Sequence, residues 1–200
     1  MKTKFNLLLA CMILLTWLNA SAQASYLKFG ASFNATYLKE NQLTNTYPSW
    51  ELSYERSLGN KWSIALGFNY SKRLTEAPFQ TVNTYDYKFT NYDKMFVLEG
   101  RYYFLSTDKG PFLQLGGSIF STKEIFVFKD YTSGMQTTST HNRTGANVYG
   151  GLGLKYPITP KLGFEMTLNI TPNINGIEDY GTGGYIRSGV KLTYALGKRK

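Results

Sequence analysis

The nine residues Trp62-Ser63-Ile64-Ala65-Leu66-Gly67-Phe68-Asn69-Tyr70 decide the fold. Every second side chain is large and apolar or aromatic, and those between are Ser63, Ala65, Gly67 and Asn69. A strict period of two is a β-strand with its side chains on alternate faces, not a helix. The face that lacks bulk is the informative one. A strand wetted on one side gains nothing from glycine, which weakens it. The interior of a narrow barrel, in contrast, needs small side chains in some of its layers. The stretch therefore reads as a barrel strand whose large face points outward.

Seven further segments repeat the pattern. Toward the N-terminus, Leu27, Phe29, Ala31 and Phe33 alternate with Lys28, Gly30, Ser32 and Asn34, and Trp50, Leu52 and Tyr54 with Glu51, Ser53 and Glu55. Toward the C-terminus, Phe96, Leu98 and Tyr102 oppose Val97, Glu99, Arg101 and Tyr103; Leu113, Leu115 and Ile119 oppose Gln114, Gly116 and Ser118. Val148, Leu152, Leu154 and Tyr156 oppose Tyr149, Gly151, Gly153 and Lys155; Phe164, Met166, Leu168 and Ile170 oppose Glu165, Thr167 and Asn169. Last, Val190, Leu192, Tyr194 and Leu196 oppose Arg187, Gly189, Lys191 and Thr193. Most segments approach the roughly 9–11 residues that a tilted strand needs to cross a bilayer.

Connections alternate in length. Those after the second, fourth and sixth segments are short (58–61, 106–111, 157–161), and the other four are long. Short turns on one side and longer loops on the other are the hairpin signature of an outer-membrane barrel. The expectation is an all-β, eight-stranded, antiparallel up-and-down transmembrane barrel with both termini in the periplasm. Closure follows because hydrocarbon offers the backbone no hydrogen-bond partner, so strands can cross it only in a closed sheet. Aromatic residues near segment ends are expected to form the interfacial girdles: Trp50 and Tyr70 outside; Trp62, Tyr102, Phe104, Tyr156 and Tyr194 inside. Two stretches, 81–90 and 125–128, are rich in Tyr, Thr or aromatics and could continue as strands above the membrane, with a turn signal at Tyr131-Thr132-Ser133-Gly134.

The chain has 200 residues, enough for one barrel domain, 23–200, behind a leader, 1–22. Lys2 and Lys4 precede an apolar run from Phe5 to Leu18, and Asn19-Ala20-Ser21-Ala22 supplies a small-x-small site. This reads as a secretory signal peptide cut between Ala22 and Gln23. Leu8-Leu9-Ala10-Cys11 resembles a lipoprotein box, but apolar residues continue beyond Cys11. Cys11 is the only cysteine, so the mature chain has no disulfide and no cysteine-based metal site. The net charge of +9 falls to +7 once Lys2 and Lys4 are removed. For an exported chain this excess points to anionic lipid head groups or surface glycans rather than nucleic acid.

Leu98-Glu99-Gly100-Arg101-Tyr102-Tyr103-Phe104 resembles the strand that ends in an Arg-Tyr-aromatic run in the OmpA-type small outer-membrane barrels, a group that includes the PorT-like proteins. Val190-Lys191-Leu192-Thr193-Tyr194-Ala195-Leu196 resembles their closing strand, with Leu196 where a terminal Phe is common and Gly197-Lys198-Arg199-Lys200 beyond it. The resemblance implies that the barrel-assembly machinery reads Tyr194 and Leu196 as an assembly signal. It also implies a Gram-negative cell envelope in which outer-membrane lipid and lipopolysaccharide surround the barrel.

Nine charged residues fall on the inner face: Lys28, Glu51, Glu55, Glu99, Arg101, Lys155, Glu165, Arg187 and Lys191. Four acids and five bases suit a self-neutralising network that fills the lumen, because buried charge is costly unless paired. The alternative is a path for ions or small solutes, as in a porin. His141, the only histidine, lies two residues after Ser139, so a lipid-A-modifying enzyme is a second alternative. A secreted lipocalin-like binder, with the apolar face turned inward, is a third. No nucleotide loop, dinucleotide fingerprint or metal-ligand spacing is present, so no cofactor is expected. The expected role is structural or surface-interacting and non-enzymatic, with the outer loops offering strand edges to a protein or glycan ligand.

Overall fold

A computed structural model of the chain describes residues 24–38, 43–78, 85–172 and 182–196. The leader and its cleavage site lie outside them. Eight strands form: β1 Ser25–Leu38, β2 Leu43–Ser57, β3 Trp62–Pro78, β4 Tyr85–Tyr103, β5 Gly110–Asp130, β6 Gln136–Pro157, β7 Leu162–Pro172 and β8 Thr182–Ala195. Each pairs antiparallel with its sequence neighbours, and β8 returns to β1, so the sheet closes as the sequence implies. The register is staggered. Followed strand to strand from Ser25, through Arg56, Ile64, Gly100, Leu115, Gly150, Ile170 and Ile186, it returns to β1 at Ala35, ten residues higher. A shear of this kind tilts the strands by about 35–45°.

The alternation resolves as read. Leu115 is 66% exposed, Ile119 68% and Phe96 64%, whereas Gln114, Glu99 and Arg101 are buried. Large side chains cover the outside, and small or polar ones the inside, which is the reverse of a lipocalin. Aromatic contacts gather at the lower end, where Trp62 packs on Tyr102 at 4.9 Å, Tyr102 on Phe104 at 5.6 Å and Tyr156 on Phe164 at 5.6 Å. Trp50 and Tyr70 are register partners at the other end. Residues 24 and 196 sit at the short-turn end: Ser57 donates to the carbonyl of Ala24, and Leu196 to that of Ser25.

The strands outrun the periodic segments. β3, β4, β5 and β6 remain paired well above the lipid-sized belt, from Lys72↔Tyr92 to Pro78↔Asp86, from Tyr92↔Lys123 to Tyr85↔Asp130, and from Lys123↔Asn142 to Lys129↔Gln136. They make a four-stranded wall rising from one side of the barrel. The third long connection shrinks to a five-residue turn, 131–135, in which Gly134 takes φ +70°, a region that suits glycine.

Candidate functional site

The lumen is built by the residues between the large ones. Because the interior is narrow, glycines admit neighbouring rings: a Cβ at Gly116 would lie 2.6 Å from the Tyr149 ring, and one at Gly153 would overlap Phe112. Tyr149, Tyr103 and Phe112 are accordingly buried inside.

Arg101 occupies the middle. Its Nη1 donates to both carboxylate oxygens of Glu165 at 2.9 Å, its Nε to Glu99 at 2.9 Å and its Nη2 to Glu99 at 2.5 Å. Glu55 lies 3.5 Å from the same guanidinium and accepts from Ser63 at 2.6 Å and Tyr103 at 2.7 Å. Lys28 pairs with both Glu55 and Glu165. Lys155 is 3.5 Å from Glu55, donates to the carbonyl of Thr107 at 2.8 Å and lies over the Tyr26 ring. Tyr149 donates to the second oxygen of Glu99 at 2.6 Å. Higher up, Glu51 pairs with Lys191 at 2.7 Å and lies 3.5 Å from Arg187. All nine residues are buried, in one cluster around Arg101 and a smaller one around Glu51. Between them lies a cavity of about 10 Å³, bordered by Glu51, Glu99, Arg187 and Lys191, close to the space of a single water.

The sequence reading of charged residues missed the hydroxyls that complete the carboxylates: Tyr103, Tyr149 and Ser63. A signal for the tyrosine at 149 was present, since an inward aromatic faces an inward glycine on the neighbouring strand. Tyr194 and Leu196 lie on the outer surface of the barrel's lower end, Tyr194 opposite Leu162.

His141 is in strand β6 rather than in a loop, because residues 136–149 pair with β5. Its register partner is Glu124, which is 3.2 Å from Arg143. Ser139 shares its face, one two-residue step away, about 6.8 Å along a strand. No hydrogen bond joins the two among the described residues, and no group of His, Cys, Asp and Glu among them could hold a metal.

No family model matches the chain, and no curated protein matches its sequence. Among solved structures, it is similar to Ail, the attachment invasion locus protein of Yersinia pestis, in complex with the heparin analogue sucrose octasulfate: identity 13%, TM-score 0.56, covering 86% of this chain and 98% of that one. A second structure of Ail gives 12%, 0.51, 87% and 99%. The N-terminal β-barrel domain of Pseudomonas aeruginosa OprF gives 14%, 0.49, 88% and 99%. At these identities the likeness is one of fold, that of the small eight-stranded outer-membrane barrels.

Proposed function

We propose that the chain is a non-enzymatic outer-membrane protein: a barrel with a polar, plugged lumen that presents its extended strands at the cell surface. The observation that carries this reading is the inverted distribution of polarity. An apolar belt with side chains such as Leu115, Ile119 and Phe96 more than half exposed surrounds a core of ion pairs. Water would not tolerate a belt of that size, since monomeric soluble proteins seldom expose apolar patches above roughly 300–600 Å². Hydrocarbon tolerates it and requires the closed backbone pairing that accompanies it. The barrel-assembly machinery would insert it, with both termini periplasmic and residues 1–22 removed to leave Gln23 first. Outer-membrane fractions should contain the protein, and it should migrate differently on a gel before and after boiling. Recovery as a detergent-free soluble monomer contradicts the reading.

The small cavity between the two ion clusters favours a plug over a conduit. Planar bilayers containing the protein should show no steady conductance; a reproducible unitary step would favour the porin-like alternative. Glu124 beside Arg143 leaves His141 without a dedicated carboxylate, which favours a binding surface over catalysis, and lipid A from cells expressing the protein should keep its mass. The surface role is supported by the wall that β3 to β6 raise above the belt. Pairing of β6 with β7 starts only at Gly150, so 136–149 belong to this wall and pair with β5. Strands held above a membrane present a surface on which a protein partner can dock. A photo-crosslinker at Asn142 should capture a surface protein that one at lipid-facing Ile119 does not; lipid adducts alone at both positions would remove this part of the proposal.

A further inference from the structure

Three lysines lie together on the outer face of the wall. The outward row above Phe68, Phe96 and Ile119 contains Tyr70, Lys94 and Ser121; the next contains Lys72, Tyr92 and Lys123. Lys94 is therefore diagonal to both other lysines, at about 7–8 Å between backbones. Lys72 and Lys123 stand two strands apart in one row, about 9.6 Å. All three are exposed, and none forms an ion pair among the described residues. Lys72 lies over the Tyr92 ring with 5.5 Å to its centroid. Among the described side chains the nearby carboxylates face the other way: Asp93 accepts from Ser71 and Thr122 on the inner face, and Glu124 is held by Arg143. Like charges on neighbouring strand positions repel, so this grouping calls for a countercharge from outside the chain.

Height decides what that countercharge is. Lys72, Tyr92 and Lys123 each lie ten residues above the Trp62–Tyr102–Leu113 row that ends the apolar belt below. Ten residues span about 34 Å along a strand and rise about 26 Å at a tilt of about 40°. The apolar band of an outer-membrane barrel is about 25 Å tall. The ammonium groups thus emerge where hydrocarbon gives way to head groups. The arrangement is also local, since outward residues at the upper ends of β1, β2, β7 and β8, from Phe33 and Pro48 to Ile170 and Ile186, include no charge among the described side chains.

We infer that Lys72, Lys94 and Lys123, with Tyr92 between them, form a site for the phosphate group of an outer-leaflet lipid, a use to which lysine is suited as a flexible point charge. This rests on the outer-membrane reading above. The full chain is inserted into phosphatidylcholine vesicles containing lipid A, bisphosphorylated in one arm and dephosphorylated in the other, and the lipid A retained per barrel after a mild detergent wash is measured. Wild-type protein should retain the phosphorylated form selectively. K94Q should weaken retention about fivefold, and K72Q/K94Q/K123Q on the order of a hundredfold. K61Q/K109Q/K161Q, which alters exposed lysines at the opposite end, should behave as wild type. Equal retention by the K72Q/K94Q/K123Q variant and wild type, or retention indifferent to the phosphates, overturns the site while leaving the barrel intact. Failure of wild type to insert into vesicles at all overturns the outer-membrane reading and the site with it.

Discussion

Arg101 holds three carboxylates with one guanidinium, and its consequences are the sharpest at the scale of single residues. Removing one member of a buried ion pair leaves the others uncompensated, at a cost of about 3–5 kcal/mol. Arg101→Ala should therefore lower unfolding free energy in vesicles by about that amount, because Glu165, Glu99 and Glu55 lose their shared partner. Arg101→Lys should recover only part of it, since an ammonium cannot reproduce the forked contacts to Glu165 and Glu99. Near-normal stability of Arg101→Ala would contradict a structural role for the cluster. Alternation in the sequence puts all nine charges on the face opposite the large apolar residues. It is not enough to pair them. Arg101 on β4 meets Glu165 on β7 across the lumen, and which side chains share a level depends on the ten-residue stagger, a property of closure that no single strand encodes.

Among the elements, the β5–β6 hairpin shows where periodicity stops being informative. Within the belt, Leu113 to Ile119 alternate because one face forms the barrel's exterior and the other lines its lumen. Above it Ile125-Phe126-Val127-Phe128 is apolar on both faces, and Gln136-Thr137-Thr138-Ser139-Thr140-His141 is polar on both, so neither has an apolar alternation to read. The strand is held there by pairing, and only the turn at Tyr131-Thr132-Ser133-Gly134 marked its end. That turn is fastened by Asp130, which accepts from the Ser133 hydroxyl at 2.6 Å and the Thr132 amide at 2.8 Å. The Ser133 hydroxyl, more than the amides, holds the Asp130 carboxyl below its usual range. A depressed carboxylate pKa adds order that is present above the unfolded value and is lost as pH falls through the folded one. Protection of the Thr132 amide from exchange should thus persist at neutral pH and fall in acid, below the ordinary Asp range. Asp130→Asn should remove the pH dependence; an unchanged profile would show that another group fastens the tip. Gly134→Ala should loosen the same turn by about 1–2 kcal/mol, because a Cβ disfavours positive φ even in open space.

For the whole molecule, closure and facing are inseparable. β8 seals the barrel against β1, with Leu27↔Tyr194 and Phe29↔Leu192 in register, so changes on its outer face act on assembly as well as stability. Changing Tyr194 and Leu196 together to Asp should leave the protein in the periplasm; normal insertion would assign the assembly signal elsewhere. Hydrocarbon outside and ion pairs inside would leave a direct signature along β5. Single cysteines at 113, 114, 115, 117, 118 and 119, in a chain lacking Cys11, would carry a spin label in lipid vesicles, and its collisions with oxygen and with a water-soluble nickel complex would be compared. With hydrocarbon outside, oxygen access should be high at 113, 115, 117 and 119, and access to both reagents should be low at 114 and 118. Nickel access at 115 and 119 equal to that of an exposed turn such as 132, with no alternation in oxygen access, would contradict that placement.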